Sequence, residues 1–225
     1  MPARISIIIP TLNAHTTLPH CLEALIEGLG EGLIRELIVS DGGSEDATRQ
    51  IADAAGANVL NGAASRGAQL RRGAAAAQGE WLLFLHADTV LGAGWAKVVA
   101  AHIRDQTSPA WFRLEFDARG FGAWFVAGWA NIRAGVLGLP YGDQGLLVSR
   151  DDYDAAGGYP DQPLMEDVAL VRALGVLTGL PVVARTNAAR YLRDGWIRRG
   201  GRNLWMLARY FAGANPETLA AQYRR

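Results

Sequence analysis

Short apolar runs alternate with helically spaced apolar positions along the first part of the chain. Ile5-Ser6-Ile7-Ile8-Ile9 is a β-branched run that Pro10 stops. Leu18, Leu22, Leu25, Ile26 and Leu29 then recur on one helical face, which predicts a helix over 18–29. A second strand is expected over 33–39. Ser44-Glu45-Asp46 follows, with Ser44 placed to cap a helix reaching residue 55. Residues 57–60 read as a third strand, the alanine-rich segment 67–78 as a helix, and 81–85 as a fourth strand. This alternation predicts an α/β architecture, a Rossmann-like, mostly parallel sheet flanked by helices.

The pattern changes after about residue 110. Phe112-Arg113-Leu114-Glu115-Phe116-Asp117 alternates strictly, which predicts a half-exposed, antiparallel strand addition. An aromatic helical stretch comes next, then a strand over 145–148 and a helix over 165–177. Two C-terminal helices are expected, over 201–211 and 216–223, the second with Pro216 in its first turn. No linker, repeat or low-complexity tract interrupts the 225 residues, so a single domain with a second subregion is expected.

Composition narrows the classes. Half of the residues are hydrophobic, enough for a sizeable core. The 22 Lys and Arg balance the 22 Asp and Glu, which gives no electrostatic case for nucleic acid. The lone cysteine, Cys21, excludes an internal disulfide and fits a reducing, cytoplasmic setting. Residues 1–4 run straight into a strand pattern and lack a signal-peptide profile. The longest apolar stretch, 121–139, is interrupted by Asn131 and Arg133 and carries four glycines, a poor membrane span.

Three polar clusters fall at or just after predicted strand ends: Pro10-Thr11-Leu12-Asn13, Ser40-Asp41-Gly42-Gly43-Ser44, and His86-Ala87-Asp88. In a parallel sheet these ends share one edge, where α/β proteins bind ligands. Asp41 can accept hydrogen bonds from a base or ribose, and Gly42 lets a flat ring approach the backbone. Arg66 stands at the start of a helix, placed to face a phosphate. A carboxylate at the tip of the apolar run Leu82-Leu83-Phe84-Leu85 is costly unless negative charge is needed there. Asp88 beside a neutral His86 can hold a divalent metal.

Taken with Met165-Glu166-Asp167, this ordered series resembles the family 2 glycosyltransferases of GT-A fold over nearly the whole chain. The segments Leu139-Pro140-Tyr141-Gly142-Asp143-Gln144 and Leu164-Met165-Glu166-Asp167 are similar to a compact bacterial subgroup labelled arsenosugar-biosynthesis or radical-SAM/selenodomain-associated glycosyltransferases. The resemblance implies a nucleotide-binding half (1–110) and an acceptor-binding half (111–225). It implies a nucleotide-sugar donor, a UDP-sugar, contacted by Pro10, Thr11, Asn13, Asp41, Gly42, Arg66, His86, Ala87 and Asp88. His86-Ala87-Asp88 stands where the family has Asp-X-Asp, with Asp88 matching the metal-ligating last residue and His86 replacing the first carboxylate. The cofactor implied is Mn²⁺ or Mg²⁺, and the imidazole leans the choice toward Mn²⁺.

Asp167 matches the base that deprotonates a hydroxyl acceptor in inverting members. Glu166 points elsewhere on the helix and orients the site or the acceptor. Asp143 and Gln144 either shape a turn or bind acceptor or sugar. Arg193-Asp194-Gly195-Trp196 is similar to the Gln-X-X-Arg-Trp region of processive relatives, where an arginine and a tryptophan serve diphosphate and acceptor. Here the glutamine is absent and the spacing altered. Arg71 stands where relatives often have asparagine.

Blander readings stand beside these. Asp88 can cap a helix over 94–103, and Glu166-Asp167 can be first-turn carboxylates favoured by a helix dipole. Phe121, Trp124, Phe125 and Trp129 fall at helical spacing, which reads first as core or homodimer packing. The second reading is an acceptor groove or a weak peripheral membrane contact, extended by Leu204, Trp205, Leu207 and Phe211. The competing activities are nucleotidyl transfer and non-catalytic nucleotide-sugar binding on the same fold. The chain lacks the glycine-rich, basic N-terminal loop of nucleotidyl transfer, and no Gly-X-Gly-X-X-Gly follows the first strand, which weighs against a nicotinamide dehydrogenase.

Overall fold

A computed structural model describes residues 4–106 and 108–223. Residues 1–3, which carry most of the expected N-terminal run-in, lie outside the described residues. The first half unfolds as β1 (Ile5–Thr11), α1 (Leu18–Gly30), β2 (Ile34–Asp41), α2 (Thr48–Ala54), β3 (Asn58–Asn61), α3 (Arg66–Ala76), β4 (Trp81–Phe84), β5 (Thr89–Leu91) and α4 (Trp95–Asp105). The second half comprises β6 (Ala110–Phe116), α5 (Phe121–Leu137), a 3-10 turn (Gly142–Gln144), β7 (Leu146–Ser149), α6 (Arg150–Ala155), α7 (Glu166–Leu174), β8 (Thr178–Thr186), α8 (Ala189–Asp194), α9 (Trp196–Phe211) and α10 (Pro216–Tyr223).

All strands join one sheet in the order β3-β2-β1-β4-β7-β6-β8-β5. The first four are parallel, as the alternating pattern predicts. The apolar residues of β1 and β4 are buried on both faces. Ile5, Ile7 and Ile9 pack with Leu83 and Leu85 on one side, and Ile8 with Leu82 and Phe84 on the other. β7 then runs antiparallel to β4 and carries the sheet into the second half.

Several expectations are corrected. β1 continues through Pro10, because β4 pairs with β1 only as far as Ile8. Pro10 points its missing N–H to that vacated side, so no ladder bond is lost. Ser44 does not cap α2, whose N-cap is Ala47; its hydroxyl bonds Asp41 instead. On α1, Ile26 and Leu29 are exposed, and the buried ridge is Leu18, Cys21, Leu25 and Gly28. The ridge is set by Trp95, whose buried ring lies so close that a Cβ on Gly28 would stand 2.6 Å from it.

β6 alternates as expected, with Arg113 and Glu115 outward, yet pairs parallel to β8 over most of its length and antiparallel to β7 at one position only. β8 is not among the strands the sequence predicts, and it carries Gly179 and Pro181, two residues unfavourable in a strand interior. The register shift on this pair, where Phe112 meets Leu180 and Arg113 meets Val183, accommodates Pro181. β5, α6 and α8 were also not anticipated, each being six residues or fewer.

The aromatic stripe of α5 is not core. The helix lies on the sheet through Ala123, Ala127, Ala130 and Ala134. Phe121 is 77% and Trp124 70% exposed, and Phe125, Trp129, Ile132, Val136 and Leu137 are exposed with them. α9 packs beside α5 and presents Ile197, Leu204 and Trp205 outward, whereas Leu207 is buried. Among the described residues, no helix is long and apolar enough to cross a membrane.

Candidate functional site

The C-terminal ends of β1, β2 and β4 lie on one edge, and Thr11 is in register with Asp41. Asp41 is fully buried, and all its bonds are internal. Its Oδ1 accepts the N–H groups of Gly43 (2.9 Å) and Ser44 (2.7 Å), and its Oδ2 accepts the hydroxyls of Thr11 (2.9 Å) and Ser44 (2.5 Å). Burial pushes the Asp41 carboxyl up, but the bonds from Ser44, Thr11 and Gly43 outweigh it and hold it below the usual carboxylate range. Asp41 therefore shapes the loop that carries Gly42.

Asn13 is exposed and takes a positive φ of 51°. Its amide N–H donates to Ser44 and its side-chain oxygen accepts the N–H of Glu45, tying the β1 and β2 loops together. From α3, Gln69 donates to the carbonyls of Thr11 and Ser40 (2.8 Å each), and Arg72 to that of Asp41 (3.0 Å). Neither was anticipated, since a polar residue in an alanine-rich helix carries no local signal of what it meets. Arg71, by contrast, is exposed.

A second cluster gathers around Gly142. A Cβ on Gly142 would collide with the His86 imidazole, and the Gly142 N–H donates to Asp167 Oδ2 at 2.8 Å. His86, Gly142, Glu166 and Asp167 line one small cavity of about 10 Å³ with Leu70, Phe84 and Tyr159, room for roughly one water. Asp167 Oδ1 accepts the N–H of Val168, so both of its oxygens are oriented. Met165, just before this pair, takes a positive φ of 64°. With Asn13, it is one of the two non-glycine residues in that region among the described residues, and both border the site.

The electrostatics of this cluster are strongly perturbed. Burial, then the charges of Arg66 and Arg190, push the His86 imidazole well below its usual value, so it is neutral. Burial, then the neighbouring Asp167, push Glu166 up to about 7 against the pull of Arg66. Glu166 Oε1 lies 3.7 Å from the Arg66 guanidinium, and its Oε2 is buried without a partner. Glu166 thus faces the same cavity as Asp167, where the sequence reading pointed it elsewhere. Asp143 is raised to about 6 by burial, which the nearby Asp167 and Asp88 reinforce and Arg133 and Arg66 oppose. Its Oδ1 is likewise buried without a partner. Such orphaned oxygens beside a cleft are where a ligand or an ordered water is expected.

Asp88 and Ala87 lie at this edge, Asp88 half-buried and Ala87 buried. Asp88 does not cap α4, whose N-cap is Gly94. Among the described residues, no group of three or more His, Cys, Asp or Glu side chains is placed to hold a metal. Asp88 and the neutral His86 offer two donors at most. That set suits a hard cation taking most of its oxygens from a ligand and water. Cys21 contributes nothing to it: burial and Asp88 push its thiol up to about 12.

The remaining expected residues do not line the small cavity. Gln144 is fully buried, and its amide meets Arg133, the Tyr141 N–H, the Phe112 carbonyl and Asn131. It holds the 3-10 turn in place and does not face a cleft. Arg133, missed by the sequence reading, stacks 3.4 Å over the Tyr141 ring beneath that turn. Trp196 packs on Phe116 and Tyr191. Arg193 is exposed and pairs with Asp194 at 2.8 Å.

The chain is similar to known proteins in sequence and in fold. Residues 6–129 match the family model described as glycosyl transferase family 2. A "PGL/p-HBAD biosynthesis glycosyltransferase" of Mycobacterium bovis is 39% identical over 93 residues, 38% of this chain and 36% of that protein. The match therefore spans about a third of the length of such curated relatives. Among solved structures, glucosyl-3-phosphoglycerate synthase from Mycobacterium tuberculosis, in complex with Mn²⁺, UDP and glucosyl-3-phosphoglycerate, superposes with a TM-score of 0.54 at 22% identity. The match covers 82% of this chain and 70% of that one. The TarS 1–349 structure from S. aureus gives 0.56 at 15% identity, over 81% of this chain and 57% of that one.

Proposed function

Because the chain belongs to glycosyl transferase family 2, we propose that it transfers a sugar from a UDP-sugar to an acceptor hydroxyl with inversion at the anomeric carbon. The fold is that of the GT-A glycosyltransferases. The observation that carries the reading is the meeting of His86 and Asp167 across Gly142, beside Asp88 and Arg66 and beyond the ends of parallel strands. Support also comes from the solved synthase structures, which hold UDP with Mn²⁺ or with Mg²⁺.

In this reading residues 1–110 bind the nucleotide and 111–225 the acceptor. Asp41, through Thr11, Gly42 and Ser44, shapes the pocket for the base, with Pro10 and Asn13 at its rim. Asp88, with His86, would hold Mn²⁺ or Mg²⁺, which supplies charge to screen the donor diphosphate and stabilise the leaving nucleotide. Arg66 is kept charged by Glu166, Asp167, Tyr223 and Asp88, which outweigh its partial burial, and it faces the phosphates from the start of α3. Asp167 takes the proton of the acceptor hydroxyl as that oxygen attacks the anomeric carbon. Glu166, held by Arg66, orients the acceptor side. The 139–144 and 164–167 segments support membership of the arsenosugar or radical-SAM-associated subgroup.

The exposed α5–α9 face supports peripheral contact with the inner face of the membrane by a cytoplasmic protein. A homodimer through that face is the competing occupant, and gel filtration separates the two. The assignment is tested by a thermal-shift and calorimetric screen of UDP-sugars with Mn²⁺. Wild-type protein binds UDP only with metal, and Asp88→Ala loses that binding. Unchanged binding in Asp88→Ala would sink it.

A further inference from the structure

We infer that the cleft between α8, α9 and α10 is an oxoanion site that anchors the acceptor by a phosphate group. This rests on the transferase reading and names the acceptor's class. The cleft has a volume of about 520 Å³ and is lined by Arg190, Arg193, Arg198, Arg199 and Arg202 with Asp194 and Tyr223. Its size falls in the range of small-molecule sites.

Five guanidinium groups face one carboxylate there, in a chain whose charges cancel overall. Asp194 is already engaged, at 2.8 Å by Arg193 and 2.7 Å by Arg199. Among the described residues, Arg190, Arg198 and Arg202 have no carboxylate partner. The Arg202 Nε is buried with no hydrogen-bond partner. Arg199 is buried and fixed between Asp194 and the Tyr223 hydroxyl (2.8 Å), and Arg202 stacks on the Tyr223 ring. A cluster of like charges, with Arg199 and Arg202 fixed on Tyr223 and donors unmet, is stabilised by an anion that accepts from several forks at once. Phosphate does this best.

The cleft adjoins the catalytic cluster. Tyr223 packs against the hydrophobic group that contains Met165 and Val168, the neighbours of Glu166 and Asp167. Arg190 is near enough to His86 for its charge to help keep that imidazole neutral. A phosphate held by Arg198 and Arg202 would leave the rest of the acceptor to reach Asp167. The donor diphosphate has its own partners in Arg66 and the Asp88 edge, so the two anionic groups need not compete.

The phosphate could belong to a soluble metabolite or to a lipid headgroup beside the exposed α5–α9 face, and two probes distinguish these. Glycerol 3-phosphate binding is measured by calorimetry, and capture by phosphatidylcholine vesicles with and without phosphatidic acid by flotation. Wild-type protein is expected to bind at least one probe. Arg198→Gln/Arg202→Gln should weaken that binding by about tenfold or more, as loss of charge-assisted bonds does. Its affinity for UDP with Mn²⁺ should stay within about twofold. Arg198→Gln alone, at an exposed position, should show part of the loss even if the double variant folds poorly. Response to glycerol 3-phosphate assigns a soluble acceptor, and response to phosphatidic acid alone assigns a lipid one. No binding of either probe, equal binding by the variants, or displacement of the phosphate by UDP would overturn the inference. Failure of wild-type protein to bind UDP would instead remove the transferase reading and leave the phosphate result standing.

Discussion

The backbone N–H of Gly142 donates to Asp167 at 2.8 Å while the same residue abuts the His86 imidazole. One glycine thus couples the donor edge of the sheet to the carboxylate assigned as base. The missing side chain is what permits the contact.

Gly142→Ala is therefore expected to push His86 and Asp167 apart. Overpacking of this kind costs about 1–3 kcal/mol. Thermal denaturation should show a midpoint lowered by about 2–4 °C for each kcal/mol lost, with weaker UDP binding in the presence of Mn²⁺. An alanine variant with wild-type midpoint and donor affinity would show that the contact is slack.

Asp167→Asn keeps an oxygen for the Gly142 N–H but removes the base. Transfer to an acceptor should fall by roughly 10²–10⁴, while UDP affinity is retained. Loss of donor affinity in step with rate would place Asp167 at the donor and not at the acceptor proton.

Glu166 gives a signed pH dependence. Its folded value of about 7 lies above that of an ordinary glutamate, so the folded state favours its protonated form. The stability it contributes is fully present below the unfolded value and is lost as pH rises through about 7. The loss is on the order of 3 kcal/mol. Wild-type melting temperature should decline across this window more steeply than that of Glu166→Gln. Parallel profiles would refute the assignment.

Asp41 has the opposite sign. Its value is depressed by the bonds from Ser44, Thr11 and Gly43 against the effect of burial. Its contribution is present above the ordinary carboxylate value and lost as pH falls through the folded one. Asp41→Ala leaves the Thr11 and Ser44 hydroxyls and two N–H groups without their acceptor. Denaturant unfolding should show a loss of about 3 kcal/mol or more.

The α5 face predicts adsorption to bilayers. Wild-type protein should float with vesicles containing anionic lipid, and Phe121→Ser/Trp124→Ser should not. Equal partition with and without vesicles removes the idea, and a concentration-dependent dimer of the wild type that the variant abolishes would assign the face to a second copy.

The sequence by itself determined the parallel half of the fold and the residue types at its edge. Ile7 to Ile9 and Leu82 to Leu85 are apolar without interruption, and a strand buried on both faces has use for that pattern. The polar clusters behind them were legible because charge at the tip of such a strand must meet something. Tertiary structure alone decided which polar groups serve the fold and which face the cleft. Asp41 turned inward, because Thr11 of the neighbouring strand joins its own loop in donating to it, and Gln144 because Arg133, Asn131 and Phe112 surround its amide. The α5 aromatics turned outward, because a stripe of alanines lets that helix lie closer to the sheet. The β6–β8 pairing was hidden by Pro181, which a bulge accommodates only once a partner strand exists. The meeting of Gly142 with His86 and Asp167, and of the five arginines, joins positions far apart in the chain. Periodicity reports the neighbours of a residue along one element, and these contacts form only when separate elements pack.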